Sequence, residues 1–153
     1  MHFFGFYAAF FAVVFVMVVG QGFLPSGYIH PSCLECMCQA SSGCKDTQCH
    51  SNGPNQYYCG PFHISYTYWV DGGSPGADPN NPFDFEECLN DRSCAEGAVR
   101  GYMQKWGHDC NYDGLVDCYD YARIHKSGPY GCNGTWVTST DYWKVFLNCY
   151  EQS

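Results

Sequence analysis

Twelve cysteines constrain this chain of 153 residues more than any other feature: Cys33, Cys36, Cys38, Cys44, Cys49, Cys59, Cys88, Cys94, Cys110, Cys118, Cys132 and Cys149. Cysteine at that density persists as disulfides in an oxidising compartment, and the even count argues for six bridges. Zinc is the competing reading of Cys33-x-x-Cys36 and of the neighbours Cys49 and His50. No paired histidine motif accompanies them, and thiols that reach a secretory pathway are oxidised. Twelve cysteines allow about ten thousand pairings, so the connectivity stays open at this level.

The N-terminal segment fits that compartment. Residues 1–22 contain no Asp, Glu, Lys or Arg, and residues 3–19 are an almost unbroken apolar run. The run is short of the roughly 20 residues a spanning helix needs. It reads as a signal peptide cut after Gly20 or Gly22. The expectation is a secreted domain over residues 23–153, free of the membrane once the leader is removed. That part keeps the whole formal charge of -8, which repels phosphate backbones and excludes nucleic acid as a partner. Aromatic residues at 18% supply enough apolar surface for one compact core, which excludes disorder and a coiled coil.

Local patterns predict a helix-rich α+β domain without internal repeats. Ser32 followed by Glu35 reads as a capping box that opens a helix over residues 33–40, and Ser42-Gly43 ends it. Residues 44–64 break into turns and an apolar run, which suits a small irregular hairpin. Further helices are expected over residues 66–70, 83–89, 94–106, 118–125 and 141–149, the last capped by Ser139 or Thr140. The Gly, Pro, Asn and Asp content of residues 72–82 marks an exposed loop.

Several blocks then carry a resemblance. Cys33-Leu34-Glu35-Cys36-Met37-Cys38, Ser42-Gly43-Cys44, Cys59-Gly60-Pro61-Phe62-His63-Ile64, Tyr68-Trp69-Val70-Asp71, Tyr121-Ala122-Arg123-Ile124-His125 and Gly131-Cys132 look like the invertebrate-type lysozyme family, also called the destabilase family. The resemblance covers residues 33–149. It implies a lysozyme-like, disulfide-rich α+β fold and cleavage of the β-1,4 glycosidic bond of peptidoglycan, a chemistry of antimicrobial defence or digestion. Such cleavage needs one protonated carboxylic acid and one ionised carboxylate. By the resemblance, the acid falls at Ser41 and the second carboxylate at Asn52, so both catalytic positions are degenerate. A serine has no acidic proton near neutral pH and an amide carries no negative charge. Glu35 and Asp46 repeat the same separation of eleven. A six-residue shift along a helix, however, turns a side chain by about 120° and moves it back about 9 Å. An isopeptidase activity also implied by the family does not carry over, because its serines fall at Gln56 and Tyr58 and its lysine at Ser65. The family often has cysteines where Gly72 and Ala98 stand, which is how the removal of one disulfide would look.

What remains is an expected glycan-binding surface. By the resemblance it includes Tyr66, Trp69, His125 and Tyr130, with Tyr68 in support, since aromatic faces suit sugar rings; Tyr68 and Trp69 read equally well as core aromatics. The partner expected is a peptidoglycan or chitin-like polymer, and the net negative charge favours uncharged, acetylated glycans. The twelve residues 109–120 have the spacing of a calcium loop. Asp109, Asn111, Asp113, Asp117 and Asp120 would act as side-chain ligands, Leu115 would give its carbonyl, and Gly114 would make the bend. The expected ion is structural Ca²⁺, and no organic cofactor is indicated. Asn133-Gly134-Thr135 is an N-glycosylation sequon.

Overall fold

A computed structural model describes residues 28–45 and 48–153. The expected signal peptide and Asp46 lie outside the described residues. The first helix, α1 (Pro31–Ser42), begins earlier than the sequence pattern predicts, because Pro31 presets the backbone angle of the first turn. Its cap is His30, whose Nδ1 accepts the Ser32 amide at 3.3 Å. The expected capping box is therefore corrected: Ser32 lies inside the helix, and Glu35 turns outward to Arg92 at 2.6 Å. Gly43, in the left-handed region at φ 69°, closes α1 as expected.

The six disulfides are Cys33–Cys118, Cys36–Cys149, Cys38–Cys44, Cys49–Cys59, Cys88–Cys94 and Cys110–Cys132, and no cysteine is free. Half of them start on α1. Cys33 and Cys36 therefore cannot serve together as zinc ligands, since each is tied to a different helix. Cys33, Leu34, Cys36, Met37 and Cys38 are all buried, so α1 is the central rod of the core.

After α1 the chain forms a three-stranded antiparallel sheet, β1 (Cys49–Ser51), β2 (Tyr57–Cys59) and β3 (Ile64–Ser65), in that order. The sequence pattern led us to expect only an irregular hairpin there. The Cys49–Cys59 bridge joins directly paired residues and so fixes the register. Helices α2 (Tyr66–Asp71), α3 (Asp84–Asn90), α4 (Arg92–Trp106), α5 (Cys118–Ser127) and α6 (Asp141–Tyr150) follow. Each lies within two residues of its predicted bounds. Thr140 caps α6, its side chain accepting the Trp143 amide.

Gly72 and Ala98 lie against each other. A Cβ on Gly72 would fall 2.4 Å from the Ala98 carbonyl oxygen. With no bridge there, α2 and α4 approach more closely than side chains at both positions would allow.

Candidate functional site

A cavity of about 370 Å³ opens where four parts of the chain meet. The last turn of α1 gives Ala40 and Ser41, the hairpin Asn52, Gln56 and Tyr58, and the turn before β3 Phe62 and His63. His125 and Lys126 of α5 and Tyr142 of α6 complete it. Ser41 and Asn52, expected at the two catalytic positions, thus line one cavity. Among the described residues, none that lines the cavity is a carboxylate.

The hydrogen bonds around His125 fix what Ser41 can do. The Nε2 atom lies 2.9 Å from the Phe62 carbonyl, which only accepts, so Nε2 carries the proton and donates. Nδ1 then accepts from the Tyr68 hydroxyl at 3.0 Å. Burial drives the His125 pKa down to about 4 against the helping hydrogen bond of Phe62, and the neighbouring His63 and Lys126 push it the same way as burial. The imidazole is therefore neutral at pH 7. Ser41 Oγ lies 3.4 Å from Nε2 but donates its own proton to the Met37 carbonyl at 2.8 Å. The nitrogen that faces Ser41 is a donor, so it cannot act as a base for the hydroxyl. Ser41 is not an activated nucleophile in this arrangement.

Glu35 sits elsewhere. Its carboxylate takes hydrogen bonds from Gln39 at 2.8 Å and from Arg92 at 2.6 Å. The Gln39 amide first, and then the Arg92 guanidinium, hold its carboxyl below the usual carboxylate range. A general acid for glycoside cleavage needs the opposite shift. Glu35 does not line the cavity.

Of the four residues expected to bind glycan, His125 lines the cavity. Trp69 is buried, and its indole nitrogen donates to the Pro75 carbonyl at 3.0 Å, so it is a core aromatic. Tyr66 is exposed and packs its ring on Trp69 and Phe85. Tyr130, at 87% exposure, meets the edge of Trp106. Tyr68 stacks on Tyr102 at 3.6 Å, which sets the hydroxyl that holds His125. Sequence reasoning missed Phe62, His63, Lys126 and Tyr142, and it placed Gln56 and Tyr58 only in an isopeptidase comparison. The Cys-Gly-Pro-Phe-His-Ile block carried the signal for the first two.

The loop at 109–120 is held by its own amides. Asp109 accepts from Tyr112 and Gly114, Asn111 from Asp113, and Asp113 from Leu115. Asp117 and Asp120 form the capping box of α5. Asp120 is fully buried, with one oxygen on the Cys110 amide at 2.8 Å and the other on the Asp117 amide at 3.0 Å. Burial pushes its carboxyl up, and those amides oppose the shift. Among the described residues, one group places three His, Cys, Asp or Glu ligand atoms within 4.8 Å of one another: His108, Cys110 and Cys132. Its two sulfurs are joined as a disulfide. Asn133 is exposed and donates to the Tyr112 hydroxyl at 3.1 Å.

Comparison with known proteins agrees with this architecture. Residues 30–149 match the family model described as Destabilase. A lysozyme of Magallana gigas is 37% identical over 116 residues, 76% of this chain and 77% of that protein. Invertebrate-type lysozyme 2 of Caenorhabditis elegans is 32% identical over 80% of this chain and 87% of its own. The crystal structure of Tapes japonica lysozyme superposes with a TM-score of 0.63 at 32% identity, covering 82% of this chain and 93% of that one. The inhibitor-bound lysozyme of Meretrix lusoria gives 0.62 at 29% identity over 78% and 89%. With the fold, the bridges and the order of its motifs in agreement, the chain belongs to the destabilase family of invertebrate-type lysozymes.

Proposed function

We propose that this domain works outside the cell by holding a β-1,4-linked amino-sugar polymer, peptidoglycan or chitin-like, and that it does not efficiently cleave it. The observation that carries this reading is a cavity lined by Ser41 and Asn52 with no carboxylate among its described lining residues. Among those described residues, acid-assisted glycoside cleavage finds no carboxylic acid and no carboxylate to set against an oxocarbenium-like carbon. What the cavity keeps is suited to sugar hydroxyls and acetamides: the amides of Asn52 and Gln56 beside the rings of Tyr58 and Phe62. Six disulfides suit an extracellular setting, and no helix among the described residues is long and apolar enough to cross a membrane. The relatives are named as lysozymes, which makes an active enzyme with relocated carboxylates the rival. Glu35 is poorly suited to that role, being ionised by its partners and absent from the cavity.

The test is a pair of measurements on the mature protein. A bacterial cell-wall suspension should show no clearing above buffer, while chitin or peptidoglycan oligomers should bind in calorimetry. Clearing that is abolished by Glu35→Gln or Asp46→Asn would establish the rival. Absence of both clearing and binding would leave an interaction protein of another class.

A further inference from the structure

The turns between α5 and α6 carry a motif that the cavity does not use. Asn133-Gly134-Thr135 is the one Asn-x-Ser/Thr sequence in the chain. Cys132 is buried in its bridge to Cys110, whereas Asn133 next to it and Thr135 are exposed. That bridge also sets the neighbour of Asn133, because Tyr112 follows Cys110 by two residues. The Tyr112 hydroxyl accepts the Asn133 Nδ2 at 3.1 Å. Tyr112 is itself held in the left-handed region at φ 63°, where its amide donates to Asp109. Along the chain, a Cβ at Gly134 would fall 2.7 Å from the indole nitrogen of Trp136, so the glycine admits that ring beside the motif. Tyr112 is 76% exposed and Trp136 53%, and neither is packed against the core. Two large rings facing water therefore lie against the motif itself, one on its asparagine and one on its glycine.

We infer that Asn133 carries an N-linked glycan in the secreted protein and that its first N-acetylglucosamine lies over the Tyr112 ring. This rests on the extracellular setting proposed above and not on binding in the cavity. The motif is the acceptor of an oligosaccharide transferase in an exported chain. In the transfer, Asn133 Nδ2 bonds to the anomeric carbon of a lipid-linked oligosaccharide. The bond from that carbon to the diphosphate oxygen breaks, the lipid diphosphate leaves, and one amide proton passes to a base of the transferase. A primary amide has two N–H groups. One is donated to Tyr112 and the other is replaced by the sugar, so the hydrogen bond seen here and the glycan are compatible. The apolar face of a pyranose suits an aromatic ring, and a sugar leaving Nδ2 starts beside the ring whose hydroxyl that nitrogen already meets. The glycan thus covers apolar surface that the fold leaves in water.

The test is expression of the full chain in a eukaryotic secretory host, with the intact mass of the protein in the medium measured before and after treatment with a peptide N-glycosidase. The mass should fall on treatment to that of the polypeptide with an aspartate at position 133. Asn133→Gln and Thr135→Ala should each remove the sugar, while Thr135→Ser and Asn148→Gln, the latter outside any such motif, should keep it. For the placement, the glycoform trimmed to its first sugar should melt about 3 °C above Asn133→Gln, the scale of one aromatic stacking contact in a domain of this size. That gain should disappear when both proteins also carry Tyr112→Ala. A secreted chain whose mass is indifferent to the enzyme overturns the inference and leaves the extracellular reading intact. A gain that is absent, or that survives Tyr112→Ala, overturns the placement of the sugar on that ring. Absence of the chain from the medium overturns the extracellular reading, and this inference with it.

Discussion

His125 shows how its surroundings set the protonation state of a single residue. It sits between the Phe62 carbonyl and the Tyr68 hydroxyl as a neutral donor–acceptor bridge, and its pKa is driven down to about 4 from 6.5. The sign of the consequence is fixed. Below pH 6.5 the unfolded chain protonates this imidazole and the folded one does not, so stability falls as pH drops from 6.5 toward 4. Discounted for partial exposure, the loss is on the order of 2 kcal/mol. The melting temperature should therefore decline through that window, and His125→Gln should flatten the decline; an unchanged slope in the variant would locate the acid sensitivity elsewhere. Glu35 acts in a lower range. Its lowered pKa stabilises the fold above 4.5 and that contribution is lost as pH falls below it, with an effect of about 1 kcal/mol or less, because both it and Arg92 are 43% exposed.

At the scale of elements, α1 carries the fold because bridges leave it in three directions. Cys36–Cys149 closes a separation of 113 residues and Cys38–Cys44 one of 6. In the chain-entropy model the first restrains the unfolded state by about 5 kcal/mol and the second by about 2 kcal/mol. Replacing the Cys36 and Cys149 pair by alanine should thus lower stability to denaturant roughly twice as much as replacing Cys38 and Cys44. Equal losses would mean that strain or residual structure governs instead. The loop before α5 makes a second case. Asp120 satisfies two backbone amides in a fully buried place, so Asp120→Ala should cost about 2 kcal/mol and do so equally with calcium or with chelator. Calcium binding by this loop would raise the melting temperature with added ion, and Asp109→Ala or Asp113→Ala would abolish that rise. A loss in Asp120→Ala that appears only with calcium present would instead make it an ion ligand.

For the whole molecule, the division between sequence and tertiary structure follows from the range of the forces involved. Helix bounds were legible because caps, glycine stops and apolar spacing act within a few residues: Thr140 and Gly43 are where local chemistry puts them. The even cysteine count likewise determined that six bridges form. Where local signals compete, the packed chain decides which partner a side chain takes. Ser32 and Glu35 match a capping box, yet Pro31 starts the helix earlier and Arg92, 57 residues away, takes Glu35. Residues 109–120 have the spacing of a calcium loop, and in the fold the Cys110 and Asp117 amides donate to Asp120. Both are cases of one carboxylate with two possible partners, and only the packed chain selects between them. The motifs placed the chain in its family, and the resemblance implies a Glu and an Asp where Ser41 and Asn52 stand. That Ser41, Asn52, His125, Lys126 and Tyr142 line one cavity is a property of how α1, the hairpin, α5 and α6 converge. No pattern in the sequence encodes that convergence, because it arises from long-range burial and bridges whose pairing the letters leave open.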